Sequence, residues 1–415
     1  MKPLIPPLLA LLTTTAVQAN PISSSPSSPS TSTSKNGVSP QLFSSLERLS
    51  RLVDISYCVG TPGTGGLSPP FSCSSRCNDV DISGRLELIK SWNTGFLSME
   101  DSCGFVAFDH GRGRDEAEKG RIVVAFRGTY SLANTIVDLS TVPQEYVPYP
   151  ADPGEGDDKG DDKKGKGPKC NNCTVHMGFM ASWKAAREIV MPVVEKARRR
   201  YPAYGVELVG HSLGGAVAML AGLEMRAGRG WTETRVTTFG EPMVGNKGLV
   251  EFVDEVFGLK GDNDATDAEG RGYRRVTHKG DPVPLLPLRE WGFRSHAGEI
   301  FITKGDLPPG PKDLRVCEGD RDKNCLNGED GDDEEGEERD KGWFREMVDE
   351  LSGKEDDEMW ETEAGWPTRF KLWQLLFAHR DYFWRLGLCV PGGDPIDWGR
   401  GRYNVSEGDD EMRDL

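Results

Sequence analysis

Ser212 lies in Gly210-His-Ser-Leu-Gly214, the segment whose residue types most directly imply chemistry. A serine hydroxyl attacks a carbonyl when a base takes its proton and a carboxylate orients that base. Val206-Glu-Leu-Val209 before it reads as a strand. Ala216 to Arg226 after it reads as a small-residue helix stopped near Gly228. Strand, sharp turn and helix are the setting of a nucleophile elbow, with Gly210 and Gly214 bare because neighbouring backbone passes close by. The helix N-terminus behind Ser212 offers unpaired N–H groups to developing negative charge.

In this architecture the acid and then the histidine follow the serine along the chain. Asp281, in Val276-Thr-His-Lys-Gly-Asp-Pro-Val-Pro284, falls just past a strand, where functional side chains of parallel sheets gather. An Asp-Pro turn is the alternative there, and Glu299 and Asp254 are weaker rivals. Of the six histidines, His110, His176 and His211 precede or flank Ser212 and His278 precedes Asp281, which leaves His296 and His379 as bases. One oxyanion donor is expected from the backbone of Leu213. The other is expected from the loop after Val124-Ala-Phe-Arg-Gly-Thr129, where Thr129 offers its N–H. Leu132, Ile136 and Leu139 share a helical face beside that loop. They would line a lid that opens at a lipid surface, or an ordinary helix face packed in the core.

Around these residues the chain alternates strand and helix. Leu42, Leu46 and Leu49 stand at helical spacing, and 60–72 reads as loop. Gly104–Phe108 and Arg121–Phe126 read as neighbouring strands, and Phe179 to Ala197 as a helix ending before Pro202. Val236–Phe239 and Arg274–Thr277 are further strands. The order predicts a mostly parallel central sheet flanked by helices, an α/β fold.

The 415 residues carry a formal charge of −16. Between Glu329 and Glu363, 18 acidic side chains face 4 basic ones, so one segment holds nearly the whole imbalance. Without a basic cluster, nucleic acid is excluded as the main partner. Lys2, an apolar run from Leu4 to Val17 and Val17-Gln-Ala19 form an export signal too short to span a bilayer. In an exported chain nine cysteines imply disulfides. Cys170 and Cys173, Cys73 and Cys77, and Cys317 and Cys325 can each close a small loop, and Cys58 and Cys389 can tie the domain ends together. Cys103 is left over. A redox or zinc pair is the alternative for Cys170 and Cys173, but no second Cys-x-x-Cys accompanies it. Asn172-Cys-Thr and Asn404-Val-Ser are glycosylation-site matches.

Taken together, Phe126-Arg-Gly-Thr129, Gly178-Phe179, Gly210-His-Ser-Leu-Gly-Gly-Ala216, Phe239-Gly-Glu-Pro-Met-Val-Gly-Asn246 and Val276–Pro284 resemble the fungal class 3 lipases in family order. The resemblance covers roughly 45–325 and 370–390. It implies an α/β-hydrolase with a short helical lid, Ser212 as nucleophile, Asp281 as acid, and His379, in Ala378-His-Arg-Asp-Tyr-Phe383, as base. Thr129 and Leu213 match the oxyanion donors. The cysteine pairs 58–389, 73–77, 170–173 and 317–325 resemble family disulfides. Thr135 stands where members often carry a lid tryptophan.

The expectation is a signal peptide at 1–19, a Ser/Thr/Pro-rich spacer at 20–39, the hydrolase at 40–400 with insertions at 150–169 and 326–368, and an acidic tail at 401–415. The protein is expected to be a secreted carboxylic ester hydrolase, foremost a triacylglycerol lipase working through an acyl-enzyme. It is expected to need no cofactor or metal, to meet a lipid–water interface transiently, and to need no stable protein partner. A feruloyl esterase or phospholipase on the same fold, and an inactive secreted binding protein, are the alternatives.

Overall fold

Arg121–Phe126 is buried on both faces because its alternate residues feed two separate cores. Ile122, Val124 and Phe126 pack into one, and Val123 and Ala125 into the other. A strand covered on both sides reads as an unbroken apolar run, which is how Ile-Val-Val-Ala-Phe appears in the sequence.

The computed structural model describes residues 37–61, 63–79, 82, 84–95, 101–111, 120–129, 139, 146–148, 170–259, 268–320, 322–326, 376–401 and 403. The export signal, the spacer up to residue 36, Leu132, Ile136, Asn404 and the acidic stretch 329–363 lie outside them; at its end the expected spacer is already ordered, with Val38 buried and Ser39 capping the first helix.

The strands in chain order are β1 (Leu86–Asn93), β2 (Cys103–Asp109), β3 (Arg121–Phe126), β4 (Tyr146–Pro148), β5 (Thr174–His176), β6 (Gly205–His211), β7 (Thr234–Phe239), β8 (Gly245–Asn246), β9 (Tyr273–His278), β10 (Phe293–Arg294), β11 (Glu299–Ile302), β12 (Leu314–Val316), β13 (Asp381–Tyr382) and β14 (Trp384–Arg385). The central sheet runs β1-β2-β3-β6-β7-β9-β11-β12. Its middle, β3-β6-β7-β9-β11, is parallel. β1 and β2 at one edge and β12 at the other are antiparallel. A second sheet runs β10-β8-β5-β4, and β13 and β14 form a hairpin.

Among the described residues, four α-helices pack against the sheets. α1 (Pro40–Ser56) starts with Ser39 accepting from the Leu42 amide at 3.0 Å, and proline stands in its first turn. Its apolar stripe, including Leu42, Leu46 and Leu49, lies in one core. α2 (Met177–Arg200) and α3 (Leu213–Leu223) build the other. Every residue of α3 is buried, so Gly and Ala are needed where the helix lies against the sheet. At Glu224 the helix read from the sequence changes to a single π turn, Glu224–Gly228. There the Glu224 carboxylate meets Arg187 at 2.8 Å and the Trp183 indole at 3.0 Å.

α4 (Lys247–Phe257) is not anticipated from the sequence. Its signals are Asn246, which accepts from the Leu249 amide, and the left-handed Gly258 after its end. Leu139 is fully buried in the core that α2 and α3 build.

Cys58 is bonded to Cys389, Cys73 to Cys77, Cys170 to Cys173 and Cys317 to Cys325. Cys103 is free and buried, with its sulfur 2.9 Å from Asn93 Oδ1. Among the described residues no helix is long and apolar enough to cross a membrane.

Candidate active site

Ser212 stands between the end of β6 and the start of α3 at φ 57° and ψ −131°, a conformation that costs an ordinary side chain of order 1–3 kcal/mol. The turn holds it through the Ser212 amide, which donates to Phe239 O at 3.0 Å, and the Ser212 carbonyl, which accepts from Gly215 at 2.8 Å. The flanking glycines are sterically required. A Cβ on Gly210 would stand 2.1 Å from Gly214 O, and one on Gly214 would stand 2.4 Å from Phe126 O.

Asp281 follows β9 by three residues and is buried. Its Oδ1 lies 2.9 Å and its Oδ2 3.0 Å from His379 Nδ1. The Val283 amide donates to Oδ1 at 2.9 Å and the Tyr382 hydroxyl to Oδ2. Burial alone would raise the Asp281 carboxyl; the His379 ring and these hydrogen bonds outweigh it and hold the group below the usual carboxylate range. Burial and the neighbouring Asp281 push the Tyr382 hydroxyl well above its ordinary value, so it stays a donor.

Among the described residues, His379 Nε2 and Ser212 Oγ are both buried without a hydrogen-bonding partner. An unpaired buried polar atom costs about 1–3 kcal/mol, so two in one site mark groups kept open for a reacting molecule or for each other. Such contacts are commonly long before substrate binds.

Of the other five histidines, four have ring nitrogens with described partners, and His278 has a buried Nδ1 with none among the described residues. His296, the rival base, faces Ala297 O through Nδ1 at 2.6 Å and Glu241 Oε1 through Nε2 at 3.3 Å. With both ring nitrogens already facing protein atoms, this ring has no open position at which to meet a hydroxyl. His211 faces the Tyr57 hydroxyl and the His379 carbonyl, and burial lowers its pKa to about 3. His176 accepts from the Phe179 amide at the start of α2, with a pKa lowered to about 4 by burial. His110 sits between Glu87 and Tyr204. His278 lies buried against Tyr382. The rival acids are also taken up: Glu299 opens β11 and accepts from Thr277 and Arg275, and Asp254 in α4 accepts from the Ala297 amide.

Leu213 is the first residue of α3, where backbone amides have no intrahelical acceptor. The Thr129 loop lies against the elbow, since a Cβ on Gly128 would come 3.0 Å from Ser212 Cβ and 2.8 Å from His211 O. Arg127 pins that loop, donating to Val59 O at 2.7 Å and Gly128 O at 3.2 Å.

Sequence reasoning missed four residues of this site. Tyr57 carries no local signal, and Arg127 lies in Phe126-Arg-Gly-Thr129, a segment singled out for Thr129. Tyr382 and Gly240 lie inside segments singled out for other residues. Gly240 closes the site: at φ 59°, a Cβ there would stand 2.8 Å from His379 Cε1 and 3.0 Å from Asp281 Oδ2.

A serine on an elbow, amides around it and an imidazole held by a buried carboxylate can carry out acyl transfer. A profile described as "Lipase (class 3)" matches residues 123–291. The chain is 54% identical to the protein named secreted mono- and diacylglycerol lipase 2 of Gibberella zeae, over 95% of this chain and 94% of the relative. It is 53% identical to lipase A of Sodiomyces alcalophilus, over 88% of this chain and 86% of that one. The crystal structure of Lip2 lipase from Yarrowia lipolytica is similar at a TM-score of 0.63 and 26% identity, covering 86% of this chain and 99% of that one. The chain belongs to the class 3 lipase family, and it is a secreted carboxylic ester hydrolase with the α/β-hydrolase fold.

Proposed function

We propose that the protein hydrolyses acylglycerols, with mono- and diacylglycerols among its substrates, through Ser212, His379 and Asp281. Ser212 Oγ attacks the ester carbonyl while His379 Nε2 takes its proton, and the same nitrogen then protonates the leaving alcohol. Asp281 holds the imidazole tautomer and stabilises its charged form. The Leu213 and Thr129 amides receive the oxyanion; losing one such donor typically costs about 3 kcal/mol of barrier. Water then releases the fatty acid from the acyl-enzyme.

The pairing of His379 Nδ1 with Asp281, with Nε2 left open, carries the mechanism. The sequence reading favours long-chain triacylglycerol, whereas the name of the Gibberella zeae relative favours partial glycerides. Initial rates on diolein, triolein, tributyrin, phosphatidylcholine and methyl ferulate, with Ser212→Ala as the blank, test the substrate class. Diolein is expected to lead. Preference for methyl ferulate overturns the acylglycerol reading, and failure of a fluorophosphonate to label Ser212 overturns the mechanism.

A further inference from the structure

The segment Leu386–Gly399 has its polarity turned inside out. Its two charged residues, Asp394 and Asp397, are both buried. Asp394 pairs with Arg380 at 2.9 Å, and Asp397 with Arg76 at 2.8 Å and Arg400 at 2.7 Å. What the segment exposes is Leu388, Pro391, Pro395, Ile396, Trp398 and glycine, with no charge among them. Charged residues make up 28% of the chain. Single exposed apolar residues are ordinary, but a stretch that exposes only uncharged residues while turning its carboxylates inward is not.

Trp398 is 63% exposed and Ile396 53%. The Trp398 indole N–H already donates to Gly393 O at 3.2 Å, so its exposure does not serve to hydrate the polar edge. The ring itself is on offer.

The loop is braced. Cys389 is bonded to Cys58, and Gly393 lies so close to Arg76 that a Cβ there would stand 2.5 Å from the guanidinium. The braces also lead to the candidate site. Arg380, which holds Asp394, follows His379, and Cys58 follows Tyr57, whose hydroxyl bonds His211.

We propose that Leu388, Ile396 and Trp398 form a fixed anchor that seats the protein on an uncharged lipid surface. This rests on the acylglycerol reading, because an aggregated ester is the apolar phase such a substrate presents. Tryptophan and proline on a stretch whose carboxylates are turned inward and paired suit the boundary between headgroups and acyl chains, where an amphipathic ring is favoured. A protein partner would normally meet a polar rim around the apolar contact. The absence of exposed cations in the segment selects neutral over anionic lipid.

The test measures co-sedimentation with phosphatidylcholine vesicles carrying diolein. Ile396→Ser/Trp398→Ser is compared with its parent, both in a Ser212→Ala background so that turnover does not alter the vesicles. The double variant is expected to lose about tenfold or more in partitioning, and Ile396→Ser alone a smaller part of that. Parental binding should change little between low and high salt. In the active enzyme the same pair of substitutions should leave the rate on a monomeric short-chain ester unchanged. Equal partitioning of variant and parent overturns the anchor. So does a parent that sediments as a dimer which the variant dissociates, because the surface would then join two copies. Anchor-dependent vesicle binding by a wild-type enzyme that leaves diolein intact keeps the anchor and defeats the acylglycerol reading.

Discussion

His211 Nε2 donates to the backbone carbonyl of His379 across 2.7 Å, so the residue before the candidate nucleophile grips the main chain of the candidate base. A carbonyl only accepts, so the proton of His211 is on Nε2, and Nδ1 accepts from the Tyr57 hydroxyl at 2.6 Å. Elbow, α1 and the C-terminal segment are joined through one imidazole. His211→Phe keeps the burial and removes both bonds. Misplacing a base by about 1 Å can cost on the order of 10²-fold, so kcat on a soluble ester should fall by about that much with KM within a factor of about two. An unchanged kcat would mean that packing alone places His379.

Ser212→Ala and His379→Ala should each lose on the order of 10⁶ in turnover with the far-ultraviolet circular dichroism unchanged. His296→Ala should retain turnover and lose stability instead, because Glu241 would be left buried without its imidazole. Parallel assays of the three variants decide between the two histidines: an inactive His296→Ala beside an active His379→Ala reverses the assignment.

Gly240→Ala is expected to silence the enzyme without unfolding it. The added methyl would meet His379 Cε1 at 2.8 Å and Asp281 Oδ2 at 3.0 Å, on a backbone at φ 59°. Gly258→Ala, also in the left-handed region but with nothing within 4 Å, should lose stability alone. Rates and melting temperatures of the pair separate collision from backbone strain.

Acid should destabilise the fold in a window set by buried histidines. His211 and His176 have pKa values lowered from 6.5 to about 3 and about 4. Below pH 6.5 the unfolded chain takes up protons that the folded protein refuses. The stability these groups contribute is therefore full above that pH and is lost as pH falls toward their folded values. Each contributes a slope of at most about 1.4 kcal/mol per pH unit. Urea unfolding of His176→Asn should show a shallower loss than wild type between pH 6 and 4. Matching slopes would mean that His176 is not held neutral.

Much of the site was legible locally. A nucleophile elbow needs bare glycines at fixed offsets and a strand-to-helix change of periodicity, and both are properties of consecutive residues; Ser212, Leu213 and the flanking glycines could be read for that reason. β3 was legible because a doubly buried strand is apolar without interruption. α4 and the short strands β11 and β12 were not, because their patterns are brief and polar residues such as Glu299 and Asp254 serve as buried partners inside them.

The chain by itself determined a serine on a strand-to-helix turn between bare glycines, the mostly parallel sheet and the short-range cysteine loops. Those follow from backbone sterics and from periodicity, which act over a few residues. Only the tertiary structure decided which histidine faces Asp281 and which rings have both nitrogens engaged. Only it showed that Tyr57, Arg127, Tyr382 and Gly240 hold the site from elements far apart in sequence. Hydrogen-bond direction and close approach depend on where distant segments cross, and no local pattern encodes a crossing.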